Sequence, residues 1–134
     1  HFAIRRQRQM CIRDRHIERY RLFCQDEDVL GCCELISYPE QQTVEIAALS
    51  VALAYRNQGI GRELVNFVIG EIKRQGAQYA IALSTREDNV FMNCGFKECS
   101  LEDLPPDKRF NYDSPQSKIY IYSLVEPDKD LSTD

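Results

Sequence analysis

The chain has 134 residues, of which 43% are hydrophobic and 28% charged, and its net charge is −4 at pH 7. This composition indicates one ordinary globular domain, and no apolar run approaches the ~20 residues that a membrane-spanning helix needs. The acidic balance argues against nucleic acid or an anionic membrane as the main partner, and without a secretory signal we expect a cytoplasmic protein.

The first segment, residues 1–15, contains five arginines without a clear period. We expect it to be non-native or disordered and outside the fold, with a basic amphipathic helix as the alternative interpretation. From His16 onward the pattern is regular, so we assign residues 16–125 to the domain and 126–134 to an acidic tail.

Apolar alternation bounded by polar turns predicts a hairpin at the start of that domain and a third strand after a proline-containing loop. The strongest helix signal follows, because Ile60, Leu64, Val68 and Ile72 recur every four residues and Gly76 supplies the stop. The predicted strands cover 17–24, 29–37, 43–51, 78–84, 96–99 and 117–124, and the predicted helices are 60–75 and a short one ending near Asn93. This order of elements is typical of an α+β fold.

The six cysteines show no Cys-x-x-Cys spacing, and His1 and His16 lie far from most of them, so no metal site is predicted. Adjacent Cys32 and Cys33 would point to opposite faces of a strand. We interpret the cysteines as reduced thiols that act as small buried hydrophobes.

The most informative stretch is 50–61, where an apolar strand end, a loop with Gly59 and Gly61, and a helix start follow one another. Backbone N–H groups and the helix dipole make such a helix N-terminus a site for anions, and glycines let a phosphate approach the main chain. Arg56 and Arg62 flank the loop with positive charge. The Walker lysine and the three-glycine dinucleotide pattern are absent, which leaves a plain tight turn as the other interpretation.

The Arg-x-x-Gly-x-Gly pattern of this loop resembles the acetyl-CoA pyrophosphate loop of the GNAT N-acetyltransferase superfamily. Ser84-Thr85-Arg86 and Gly95-Phe96 are similar to motifs in the acetyltransferase domain of bacterial N-acetylglutamate synthases, and the resemblance covers roughly residues 17–124. It implies an α+β GNAT fold with a mixed, mostly antiparallel sheet and flanking helices.

That fold begins with a strand and two helices, which need on the order of 50 residues. Only sixteen residues precede Ile17 here. We therefore expect an N-terminally truncated domain of low stability and poor activity, with an open acceptor side.

The resemblance also implies the co-substrate and its contacts. Acetyl-CoA is the implied donor, with no metal. The residues implied to contact it lie at the strand end and in the loop: Leu49, Ser50, Val51, Arg56, Asn57, Gln58, Gly59, Ile60, Gly61 and Arg62.

Glu45 is the candidate general base. On simple alternation it shares an apolar strand face with Ala47, Leu49 and Val51, where desolvation makes a carboxylate a better proton acceptor. A glutamate paired with an arginine, or facing solvent, is the alternative interpretation.

Three further residues are candidates for binding the acceptor. Arg86 is suited to hold a carboxylate in a bidentate fork, and a surface arginine at a helix start is the alternative. Cys32 and Ser117 are weaker candidates, because a buried cysteine and a serine at a strand start are the ordinary explanations for them.

Two departures from the family pattern bear on these roles. The family usually carries an arginine shortly before the Ser-Lys pair that corresponds to Ser117-Lys118, and residues 113–116 contain none. Phe91 stands where many GNAT enzymes hold a tyrosine that protonates the leaving thiolate. The first departure weakens the case for glutamate as acceptor. The second means that the phenol that protonates the thiolate in many GNAT enzymes is missing here.

We therefore predict an acetyl-CoA-dependent N-acetyltransferase that acts on the α-amino group of an amino acid, with L-glutamate, and hence arginine biosynthesis, as first choice. The alternatives are a GNAT enzyme for another amine, such as a polyamine or a protein lysine, and a non-catalytic acyl-CoA-binding module. The expected partner is a small-molecule amino acid rather than nucleic acid or membrane. A homo-oligomer and the C-terminal part of a larger polypeptide are both compatible with the sequence.

Overall fold

The computed structural model describes residues 8–11, 19–84, 90–106 and 117–125. Arg86 and the tail at 126–134 lie outside the described residues. The strands are β1 (Arg8–Cys11), β2 (Tyr20–Gln25), β3 (Asp28–Tyr38), β4 (Thr43–Val51), β5 (Tyr79–Ser84), β6 (Lys97–Cys99) and β7 (Lys118–Ser123), and the α-helices are α1 (Ile60–Arg74) and α2 (Val90–Asn93).

These strands form one seven-stranded sheet in the order β1-β2-β3-β4-β5-β7-β6. Neighbouring strands are antiparallel except β4 and β5, which are parallel. A parallel pair needs a crossover connection, and α1 supplies it. The predicted α+β class and mixed, mostly antiparallel sheet are confirmed.

The core lies between α1 and one face of the sheet, which we call the α1 face. The inward stripe of the helix is at most 1% exposed and consists of Ile60, Leu64, Val65, Val68 and Ile72. It packs on buried residues from four strands: Phe23, Leu30, Cys33, Leu35, Val44, Ile46, Ala80 and Ala82. A smaller cluster of Ile81, Leu104 and Ile119 lies on the other side of the sheet, which we call the opposite face.

The structure differs from the expectation for residues 1–15 at Arg8–Cys11. These four residues form β1, whose backbone pairs with β2 from Arg8 opposite Gln25 to Cys11 opposite Leu22. Because β1 is a short edge strand with a single neighbour, it needs no alternating apolar pattern, and arginine is well tolerated at a sheet edge. The ordered sheet therefore begins before the predicted boundary at residue 16.

The five described cysteine side chains are free thiols, and burial raises the pKa of the Cys33 thiol to about 12. Among the residues that the structure describes, no group of three or more His, Cys, Asp and Glu side chains could hold a metal ion. In the same part of the chain, no helix is long and apolar enough to cross a membrane.

A largely buried ion pair fastens α1 to β2. Arg21 Nε donates to the two carboxylate oxygens of Glu71 at 2.8 and 3.0 Å, and Nη2 contacts the same carboxylate. Gln75 Nε2 donates to Glu71 Oε2 at 3.2 Å. The hydrogen bond from Arg21 to Glu71 raises the pKa of the Arg21 guanidinium.

Replacing Glu71 by alanine should lower the free energy of unfolding by about 2 kcal/mol, because Arg21, a residue that is 9% exposed, would lose its carboxylate partner. Urea denaturation measures this change. Lys73→Ala, an exposed position on the same helix, is the control and should stay within about 0.5 kcal/mol of wild type. An equal decrease in the free energy of unfolding in the two variants would contradict a stabilising role for the ion pair.

Candidate functional site

The site begins where β4 and β5 part. Their backbones pair over three positions, from Thr43 with Tyr79 to Glu45 with Ile81. Both strands continue beyond that point, β4 to Val51 and β5 to Ser84. The second half of β4 therefore turns its backbone groups towards a space that its parallel neighbour does not fill.

A β-bulge in β4 lies beside this divergence. The register between β3 and β4 shifts at Cys33, so that one residue of β3 faces two residues of β4. The bulged position is Ala48, which has a φ of +53°. An extra residue of this kind reverses the alternation of side chains further along the strand.

The bulge corrects the strand face that simple alternation predicts for Glu45. Leu49 and Val51 are partly buried against the cluster on the α1 face. Glu45 precedes the bulge and pairs with Ile36 and Ile81 on the opposite face. Glu45 therefore lies on a different face of the sheet from Leu49 and Val51, which contradicts the prediction from simple alternation.

The loop after β4 leads into the N-terminus of α1, a feature that can bind an anion. A 3₁₀ turn at Leu53–Tyr55 leads to Asn57 with a φ of +65° and to Gly59 with a φ of +78°. Gly59 is the N-cap of α1, and the N–H of Glu63 donates to its carbonyl at 3.0 Å. The N–H groups of residues 60–62 precede that first bond and point out of the helix end.

An open cleft of about 350 Å³ lies at this helix end. Seven of the residues predicted to contact acetyl-CoA line it: Val51, Arg56, Asn57, Gly59, Ile60, Gly61 and Arg62. The other three predicted residues, Leu49, Ser50 and Gln58, are not among its described lining residues. Leu49 packs towards the core, and Ser50 and Gln58 are exposed.

Three residues that line the cleft were not predicted: Tyr55, Val90 and Asn93. Val90 and Asn93 stand three positions apart on α2, so they lie on one side of that short helix. The sequence alone gave no signal for them, because only the packing of α2 beside the start of α1 brings them to the loop. Tyr55 lies within the loop motif itself.

The charges around the cleft favour an anion. Of its described lining residues, Arg56 and Arg62 are cationic and none is acidic. Arg56 Nε donates to the carbonyl of Val51 at 3.3 Å, which holds this side chain beside the end of β4. Tyr55 Oη donates to Asp28 Oδ2 at 3.0 Å, and this hydrogen bond raises the pKa of Tyr55. The tyrosine thus ties the loop to the β2–β3 hairpin.

Glu45 is 3% exposed and forms, with Ile81, the last pair before β4 and β5 part. Its neighbours across the strands, Ile36 and Ile81, are apolar. Tyr38 Oη donates a hydrogen bond to Glu45 Oε1 at 3.1 Å. The structure thus gives the predicted base an apolar setting and a hydroxyl partner.

Of the predicted acceptor residues, Cys32 lies in β3 and Ser117 lies just before the start of β7. Cys32 is half-buried in β3, opposite Ser50 of β4. Ser117 directly precedes Lys118, which pairs with Ser84 at the end of β5. Arg86 is outside the described residues, so the structure does not test whether these residues come together.

Phe91, which stands at the position of the family's tyrosine, is a core residue. It is 4% exposed, meets Phe96 edge-on at 5.2 Å between ring centroids, and stacks on Tyr120 at 6.4 Å. A side chain held in this aromatic cluster supplies packing rather than a proton.

The sequence pattern of the Acetyltransferase (GNAT) family matches residues 2–96. The chain belongs to the GNAT family. Its sheet, in which β4 parts from β5 next to a helix N-terminus, is the GNAT sheet that the sequence motifs predicted.

Relatives of this GNAT chain carry a common name. The amino-acid acetyltransferase of Mannheimia succiniciproducens is 32% identical over 111 residues, which cover 82% of this chain and 25% of the relative. The protein of the same name from Edwardsiella ictaluri is 29% identical over 123 residues, or 90% of this chain and 27% of the relative. The chain thus spans about a quarter of the length of these relatives.

Solved structures agree with this relationship. N-acetylglutamate synthase from Neisseria gonorrhoeae, in complex with coenzyme A and N-acetyl-glutamate, superimposes with a TM-score of 0.75 at 28% identity. The match covers 86% of this chain and 29% of that chain. An acetyltransferase from Bacillus subtilis in complex with CoA, at 19% identity and a TM-score of 0.63, supports the fold alone.

Proposed function

We propose that this chain is an acetyl-CoA-dependent N-acetyltransferase that acetylates the α-amino group of an amino acid. The observation that carries the proposal is the cationic cleft at the N-terminus of α1, at the end of a strand that parts from its neighbour. Relatives named amino-acid acetyltransferase, and a similar structure that binds coenzyme A, support the same conclusion.

The cleft fits the pyrophosphate of coenzyme A. The N–H groups of residues 60–62 offer donors without a side-chain cap, and Arg56 and Arg62 add positive charge at the rim. A Cβ built on Gly61 would lie 3.6 Å from Val51 Cγ2 and 3.7 Å from Val90 Cγ2. A larger side chain at this position would therefore occupy the floor of the cleft.

The residues of this chain would assist the acetyl transfer in two ways. The nitrogen of a neutral amine forms a bond to the thioester carbonyl carbon, the amine loses a proton, and the carbon–sulfur bond breaks to release the thiolate of coenzyme A. Glu45 accepts that proton, through water because its side chain is buried. Backbone N–H groups at 49–51, beside the space between β4 and β5, stabilise the developing oxyanion.

L-Glutamate is the acceptor that we propose, which would place the reaction in arginine biosynthesis. Arg86 would bind the acceptor carboxylate, with Cys32 and Ser117 contributing to the pocket. The support comes from the N-acetylglutamate synthase of Neisseria gonorrhoeae, which was solved with N-acetyl-glutamate.

A second candidate is a non-catalytic acyl-CoA-binding module, which the burial of Phe91 in the core favours. Such a module would bind coenzyme A in the same cleft but would not turn over acetyl-CoA with any amine. Turnover with free amino acids separates the two candidates.

Replacing Gly61 by valine should weaken coenzyme A binding at least tenfold, or ~1.4 kcal/mol, because the branched side chain would occupy the phosphate position. Isothermal titration calorimetry with coenzyme A measures the Kd. Gly70→Val is the matched control, since a Cβ there would meet the flexible end of Arg74 at 3.4 Å, away from the cleft. An unchanged Kd in Gly61→Val would exclude this loop as the pyrophosphate site.

Replacing Glu45 by glutamine should lower kcat by ~10²-fold and leave the Kd for acetyl-CoA within about twofold, because the variant cannot accept a proton. Steady-state kinetics with glutamate, together with a binding titration, measures both quantities. A glutamine variant with a kcat within about twofold of wild type would mean that Glu45 is not the base.

Arg86→Ala should raise the KM for the acceptor more than the KM for acetyl-CoA, because a carboxylate would lose its bidentate partner. In the wild-type chain, glutamate should be acetylated faster than a polyamine. Arg74→Ala, at the far end of α1, serves as the control. Equal turnover of glutamate and a polyamine would favour the alternative GNAT activity on another amine.

A further inference from the structure

The connection between β3 and β4 brings a tyrosine next to the proposed base. Tyr38 is the last residue of β3, and the following Pro39 disfavours a helical backbone at this position. A single 3₁₀ turn at Pro39–Gln41 and a left-handed Gln42, with a φ of +52°, then start β4. Tyr38 consequently pairs with Thr43, two residues before Glu45.

This register makes Tyr38 and Glu45 diagonal neighbours on the opposite face of the sheet. Ile36 pairs directly with Glu45, and Tyr38 is the next residue of β3 on the same face. Diagonal positions on adjacent strands are within reach of an aromatic side chain. The hydroxyl of Tyr38 reaches Glu45 Oε1 at 3.1 Å.

The hydrogen bond orients a carboxylate that is 3% exposed. A hydroxyl that donates to one oxygen fixes the rotation of the carboxylate and so sets the direction of the second oxygen. This orientation bears on a general base more than on packing.

We propose that Tyr38 is a positioning residue for Glu45 and holds its carboxylate ready to receive the proton of the acceptor amine. This inference rests on the proposed function, in which Glu45 is the base. Tyr38 itself acts through Glu45 and takes no proton from the substrate.

Tyr38→Phe keeps the ring and removes the hydroxyl. It should lower kcat about tenfold and leave the Kd for acetyl-CoA within about twofold, since the donor site is on another part of β4 and α1. In a Glu45→Gln background the same change should have no further effect on kcat, because the two residues act as one unit. Tyr122→Phe is the matched control: its ring packs on Phe96, at 5.3 Å between centroids, and kcat should not change.

Single-turnover and steady-state kinetics of the wild type, the two single variants and the double variant separate failure of the positioning role from failure of the proposed base. If Glu45→Gln lowers kcat and Tyr38→Phe does not, the positioning role is overturned and the base remains. If Glu45→Gln leaves kcat unchanged, the proposed base is wrong and the positioning role falls with it. If Tyr38→Phe lowers kcat by the same factor in the wild-type and Glu45→Gln backgrounds, the positioning role is also overturned. Such a result would indicate a structural effect that is independent of Glu45.

Discussion

The parting of β4 from β5 is the constraint on which the rest of the site depends. The two parallel strands pair only from Thr43 with Tyr79 to Glu45 with Ile81, although both continue further. Backbone groups in a sheet normally satisfy one another, so a strand that leaves its neighbour keeps donors and acceptors for another partner. The crossover helix α1 begins after the loop that follows β4 and adds the N–H groups of residues 60–62.

The bulge at Ala48 divides β4 into two functional halves. Before it, Glu45 lies on the opposite face with Tyr38. After it, Leu49 and Val51 pack against the core on the α1 face, and Val51 also lines the cleft. The proposed base and the proposed donor site therefore lie on one strand, on either side of the bulge.

Much of this organisation could be predicted from the sequence, because the helix stripe beginning at Ile60 and the glycines at 59 and 61 are strong local signals. β1 could not be predicted, since an edge strand of four residues carries no period. The face of Leu49 was predicted wrongly, because a bulge at an alanine leaves no mark in the alternation that precedes it. Val90, Asn93 and Tyr38 reach the site only through tertiary packing and strand register.

The central claim is that this chain transfers an acetyl group from acetyl-CoA to a free amino acid. Its most direct test is mass spectrometry of the products formed from acetyl-CoA and each of the twenty amino acids, with the purified chain as catalyst. The account predicts an N-acetylated product, formed fastest from L-glutamate and absent without the chain. Coenzyme A binding without any N-acetylated amino acid would contradict the claim and indicate a binding module instead.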